Sequence, residues 1–261
     1  MHGLFKDIFQ FLFPEAIPLW QALGLIILSF FTSFMSASIG IGGGKAMLGV
    51  MAGVIPVNVL IAVHAFVQVG SNAGRAWVQR ANIRWPVVRR YIMGAIVGVG
   101  LGALFFVSLP EHILFLILGL YILWTVWVPE RKDTRFDVTK IGIPVIGFVT
   151  AFMSTMLGTT AALVNATLRK LGLNRYEMIG TQAACVLVQH ILKVIVFVAL
   201  GVAIADWLGM IILMILVGFV GTWAGTKLLN VMSETWFDRI LKAVLSLVAL
   251  DLLLQGIMHF V

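Results

Sequence analysis

The chain has 261 residues, 61% of them hydrophobic and 11% charged, with a net charge of +7 and a mean hydropathy of +1.06. So little charge cannot cover a water-soluble domain, and apolar runs of spanning length fill nearly the whole chain, so a polytopic, all-α membrane protein follows. The basic excess is clustered in short segments, a topology signal rather than a nucleic-acid footprint, and the single Cys185 excludes a disulfide framework or paired-thiol metal motif.

Residues 1–18 lack a small-residue cleavage site and are expected to form an amphipathic segment at the membrane interface. Helices A (about 19–39), B (about 43–54), C (about 57–79), D (about 87–107) and E (about 111–128) follow, making a first repeat over 19–128. Residues 129–140 form a charged linker, expected to be cytoplasmic. The second repeat, 141–261, reads as A′ (about 141–157), B′ (about 160–171), C′ (about 175–200), D′ (about 207–230) and E′ (about 235–258). Ser108-Leu109-Pro110-Glu111 reads as a capping box opening E, and Ser233-Glu234 as the start of E′. Glycines at 94, 98, 100, 102, 218, 221 and 225 suit close helix packing in lipid.

The two halves share a signature. Thr32 to Gly40 returns 118 positions later as Thr150 to Gly158, with five of nine residues identical. Each copy ends where an apolar helix breaks, at Gly40-Ile41-Gly42-Gly43-Gly44 and at Gly158-Thr159-Thr160-Ala161-Ala162. B and B′, at about twelve residues or ~18 Å, are too short for a ~30 Å hydrocarbon core. Each half is therefore expected to hold four spanning helices and one half-helix in a broken-helix hairpin, with 8–10 transmembrane segments in all.

Charge sets the predicted topology. If the C–D loop is cytoplasmic, 15 of the 18 Lys and Arg residues fall on that side, and the loop equivalent to C–D, Ala203-Ile204-Ala205-Asp206, lies opposite. The repeats are then inverted, with both termini outside, the arrangement of secondary transporters that hold substrate at mid-bilayer.

Polar residues inside these helices are the candidate site. Gly42, Gly43 and Gly44 leave the first amides of B facing mid-membrane, where a helix N-terminus attracts anions, and Lys45 adds a full charge there. The plainer alternative is a tight turn with Lys45 snorkelling to water. Thr159 and Thr160 offer donors at the second tip. Helix C carries His64, Gln68, Asn72 and Arg75 on one stripe, and C′ carries Gln182, Gln189, His190 and Lys193. At the 118-residue offset, Arg75 matches Lys193. Intramembrane charge is costly and usually serves a pathway, although a topological role fits Arg75 equally. Asp251, His64 and His190 are the candidates for proton coupling. No residue pattern supports an enzyme, a metal site or a cofactor.

Together, the GIGGG tip at 40–44, Pro56, Asn82-Ile83-Arg84-Trp85, Gly172-Leu173 and Gly180-Thr181 make the chain resemble the TauE/SafE family of membrane exporters over about residues 20–258. The resemblance implies export of sulfite, an organosulfonate or a related sulfur-containing anion across the bacterial inner membrane. Lys45 departs from the family's usual apolar residue after the tip, as does the Thr-Thr-Ala-Ala of the second tip from a glycine run. The expected partners are a small anion and the lipid bilayer, without nucleic acid, and a homodimer is compatible with the sequence. Uptake of sulfate-like or organic anions is the alternative transport direction, and a non-transporting scaffold or sensor the alternative class. A channel is disfavoured because the stripes carry few charged rings.

Overall fold

The computed structural model describes residues 2–39, 42–127, 142–227 and 235–259. The expected charged linker, Gly40-Ile41 of the first tip and Ser233-Glu234 lie outside these residues. The described chain is helical: α1 (His2–Leu12), α2 (Leu19–Ile39), α3 (Gly43–Ala52), α4 (Val57–Val78), α5 (Trp85–Ser108), α6 (Glu111–Trp127), α7 (Ile143–Leu157), α8 (Ala161–Arg169), α9 (Arg175–Ala199), α10 (Leu208–Lys227) and α11 (Thr235–Met258). Five of these elements are long and apolar enough to cross a membrane, and three shorter ones are comparably apolar. This is an all-α polytopic membrane protein.

With ten and nine residues, α3 and α8 reach only about half the hydrocarbon thickness. Each folds back on the helix before it, α3 on α2 and α8 on α7. Ser108, expected in a capping box, turns its hydroxyl back to donate to Phe105 O at 2.8 Å. A capping box does open α9, where Asn174 Oδ1 accepts from Glu177 N and Glu177 Oε2 accepts from Asn174 N.

The helices pair across the two halves of the sequence. α2 packs on α10, and α5 on α7, with backbone nearly touching backbone. A methyl group at Gly94 would lie 1.7 Å from Pro144 O, and one at Gly221 2.2 Å from Phe30 O, so glycine sets both approaches. Along α5 and α7 the contacts advance together, Gly94 with Pro144 and Gly102 with Thr155, so these helices are parallel. The same holds for α2 and α10, with Phe30 at Gly221 and Phe34 at Gly225, and for α4 and α10, with Gly70 at Ile215 and Gly74 at Phe219. α4 and α9 run antiparallel, His64 meeting His190 while Gln79 meets Gly180.

Two groups result: α2, α4 and α10 on one side, α5, α7 and α9 on the other, meeting along a seam between α4 and α9. Two apolar clusters fill the fold: one around Met47, Leu60 and Met210 that also takes in Ala103, Phe106 and Phe197 of the second group, the other around Tyr91, Ala151 and Cys185. α6 and α11 pair antiparallel, and α3 leans on α11 with Gly49 against Leu245. At the chain start, α1 crosses the first residues of α10, Phe11 O lying 2.0 Å from where a Gly209 methyl would stand. Ile8, Phe9 and Phe11 remain exposed, as an interfacial helix requires.

Candidate functional site

The first hairpin closes by backbone contact. Gly42, at φ 100°, leads into α3, whose first turn has no side-chain cap. A methyl at Gly43 would lie 1.9 Å from Thr32 O and 2.1 Å from Ser36 Oγ, which explains why glycine stands there. The next residue faces α4: His64 Nε2 donates to Gly44 O at 3.0 Å, and the Gln68 amide lies 3.4 Å from the Gly44 methyl position. Lys45 is half-buried in the same turn.

Along α4 a directional chain runs toward this turn. Arg75 can only donate, so its Nη2 bond of 2.5 Å orients Asn72 Oδ1 toward it. The Asn72 amide nitrogen then donates to Gln68 O at 2.8 Å and Gln68 Oε1 at 3.2 Å. Gln68 is left with its amide nitrogen beside the first turn of α3. Arg75 is 5% exposed and bent back along its helix, not spread at a surface as a pure topology signal would be.

The second hairpin spends its donors on itself. Thr160 Oγ1 donates to Thr150 O at 2.8 Å, and the same carbonyl accepts from Gln189 Nε2 at 2.8 Å. The Thr159 carbonyl accepts from the Tyr121 hydroxyl of α6. Lys193, fully buried, directs Nζ to Gly158 O at 2.8 Å, Ser154 Oγ at 3.1 Å and Ser154 O at 3.3 Å. Its three donors thus meet three acceptors at the carbonyl end of α7, where a cation is favoured. Gly158, at φ 84°, sits against Leu48 and Ile61, which brings the second tip onto α3 and α4.

The structure therefore brings Gly44, His64, Gln68, Asn72 and Arg75 together on one side of the α4/α9 seam, and Gln182, Gln189, His190 and Lys193 on the other. The His64 and His190 rings meet edge to face at 5.7 Å. Several buried polar atoms have no protein partner: Arg75 Nε, His64 Nδ1, His190 Nδ1, Gln189 Oε1 and both side-chain polar atoms of Gln182. Each such atom costs about 1–3 kcal/mol when nothing serves it, so the concentration marks a place for ligand or water. Asp251 is not brought here. It stands exposed on α11 and accepts from Gln255 Nε2 at 2.7 Å.

Sequence reasoning missed Thr150 and Tyr121, whose contacts shape the second tip. Thr150 stands four residues before Ser154 in the duplicated stretch, a signal available but read there only as a repeat.

One end of the seam is closed by polar contacts. Arg84 Nη2 pairs with Glu177 Oε1 at 2.7 Å, Arg84 N donates to Thr181 Oγ1 at 3.0 Å, and Gln79 lies against Gly180. At the other end, Val57, Ile204 and Trp207 join the apolar cluster.

No curated protein and no solved structure matches the chain. A family model described as Sulfite exporter TauE/SafE matches residues 25–252. That span holds both hairpins and every polar residue of the seam, and the family is one of membrane transporters for sulfur-containing anions. The chain belongs to the TauE/SafE sulfite exporter family.

Proposed function

We propose that the chain is a secondary transporter that exports a small sulfur-containing anion, sulfite or an organosulfonate, across the bacterial inner membrane by alternating access. One observation carries the reading. Arg75 is a buried full charge on α4 with an unserved Nε and no carboxylate partner among the described residues. A cation held away from water needs a counter-charge, and a bound anion supplies it. Lys193 has its charge answered by the carbonyl end of α7, so it orients the second tip rather than holding the ligand. Gln68, Gln182 and His190 complete the donor set, with the first turn of α3, Gly42 to Lys45, at its edge.

The two halves are inverted repeats in this reading, with both termini outside, and the moving bodies are the two helix groups rather than the two sequence halves. Access alternates as α2, α4 and α10 rock against α5, α7 and α9, opening the seam at one end and then the other. A monoanion leaving a cell held at about 100 mV negative inside gains ~2.3 kcal/mol, enough for export without a pump.

Proteoliposomes loaded with sulfite test this. They should release it faster than protein-free vesicles, and faster still when the exit-side potential is positive. Release at the protein-free rate under both potentials overturns the proposal.

A further inference from the structure

The broken end of α7 aims three neutral oxygens at one point. Ser154 O, Ser154 Oγ and Gly158 O lie 3.3, 3.1 and 2.8 Å from Lys193 Nζ, and both Ser154 and Lys193 are 0% exposed. The Ser154 hydroxyl donates to Gly158 O at 3.4 Å, which leaves its lone pairs for the amine. The break itself makes this cage. Ser154 stands in the last turn, where carbonyls have no amide within the helix, and Gly158, at φ 84°, brings its own carbonyl to the same point. Leu48 and Ile61 cover the turn with carbon, 2.5 and 3.2 Å from where a Gly158 methyl would stand.

Secondary transporters hold their coupling cations at such carbonyl ends of broken helices. The charge this cage suits is one. α7 and α8 contain no carboxylate, and none lies within ion-pair distance of Lys193 among the described residues, whereas divalent cations are held by carboxylates. The first repeat does not build the same arrangement. There Ser36 Oγ lies 2.1 Å from the Gly43 methyl position, and Arg75, which matches Lys193, donates to Asn72 Oδ1 instead.

Resting on the transport reading above, we infer that the end of α7 is a monovalent-cation site of the coupling type, filled permanently by the chain's own ammonium. Lys193 is a tethered cation, a positioning residue that holds the second tip in shape without drawing on a sodium or potassium gradient. Its stem is anchored to α9, so this cation cannot cross the membrane with the substrate.

Removing the tether while keeping the cage tests this. Lys193→Ala deletes the side chain beyond Cβ, and n-propylammonium restores those atoms, whereas 1-propanol restores the carbons without the charge. n-Propylammonium should raise the melting temperature of Lys193→Ala in detergent by about 3 °C or more. 1-Propanol at the same concentration, or n-propylammonium added to the unsubstituted protein, should raise it by less than about 1 °C. Should the variant yield no folded protein, folded yield with either compound present throughout purification becomes the readout. An equal response to the two compounds, or a response to neither, overturns the inference. In sulfite-loaded proteoliposomes, the unsubstituted protein should release sulfite at the same rate when sodium and potassium are replaced by N-methylglucamine. Dependence on either ion overturns the inference as well. If no release occurs in any salt, the transport reading falls, and the thermal comparison still decides the cation site.

Discussion

Arg75 and Lys193 occupy matching positions of α4 and α9, 118 residues apart, and the residue three places earlier decides where each charge goes. Asn72 offers a side-chain carbonyl oxygen, so Arg75 turns back along its own helix. His190 offers none, and the Lys193 amine crosses to Ser154 and Gly158 instead. Substitutions should separate these roles. Lys193→Met leaves the last carbonyls of α7 unserved and removes a buried charge from its cap, a loss of about 2–4 kcal/mol. The melting temperature in detergent should fall by roughly 5–10 °C, with anion affinity in the surviving folded protein changed less than about threefold. Arg75→Gln should do the reverse, weakening sulfite at least about tenfold, the weight of a charge-assisted hydrogen bond, with little loss of stability. A Lys193→Met protein of full stability that no longer binds sulfite would invert the assignment. The polar stripes themselves were legible, because positions three and four apart on an apolar helix share a face. What a 118-residue offset could not reveal was that one cation faces the seam with donors unspent while the other caps a helix.

At the scale of elements, the first tip was legible and the second only half so. Three consecutive glycines after a spanning run announce a break, and the broken-helix hairpin follows. The Thr159-Thr160 tip carries hydroxyls that look free in sequence, yet the Thr160 hydroxyl is committed to Thr150 O, a partner ten residues back. Cap patterns were an uneven guide: Asn174-x-x-Glu177 does form a capping box at the start of α9, whereas the hydroxyl of Ser108, expected to cap α6, donates to Phe105 O. The glycines of the first tip can be tested singly. Gly43→Ala drives a methyl onto the Thr32 carbonyl, a backbone group that cannot yield without parting α2 from α3. Folded yield by size-exclusion chromatography should collapse. Gly44→Ala meets only the Gln68 amide at 3.4 Å, so the protein should fold normally. A well-folded, fully active Gly43→Ala protein would show that the hairpin does not close this way.

For the whole molecule, charge leads to an expectation of inverted halves, but it does not disclose the exchange of partners between them. Nothing in sequence says that α2 will seek α10 and α5 will seek α7, since the glycines permitting those contacts fit many neighbours. The exchange matters because it redefines what can move. Rocking one sequence half against the other would tear two backbone-close packings, whereas rocking the two helix groups disturbs the α4/α9 seam, the contacts closing its ends and the side-chain packing of Leu48 and Ile61 on Gly158. Paired cysteines distinguish these motions. The Gly218 methyl position lies 3.7 Å from Ser33 Cβ, within disulfide reach and inside one group, although the residues belong to different sequence halves. Oxidising Ser33→Cys with Gly218→Cys should leave transport of a sulfonate within about twofold of the reduced protein. Gln79 Cβ and the Gly180 methyl position, 3.1 Å apart, join α4 to α9 at the seam's polar end, where Arg84 grips Glu177. Oxidising Gln79→Cys with Gly180→Cys should arrest transport, and a reductant should restore it. A sulfonate is the reporter because sulfite would cleave either disulfide, forming an S-sulfonate on one cysteine and releasing the other as a thiolate. Arrest by the Ser33–Gly218 disulfide, with free transport through the Gln79–Gly180 one, would mean that the sequence halves are the moving bodies and that the end held by Arg84 does not open.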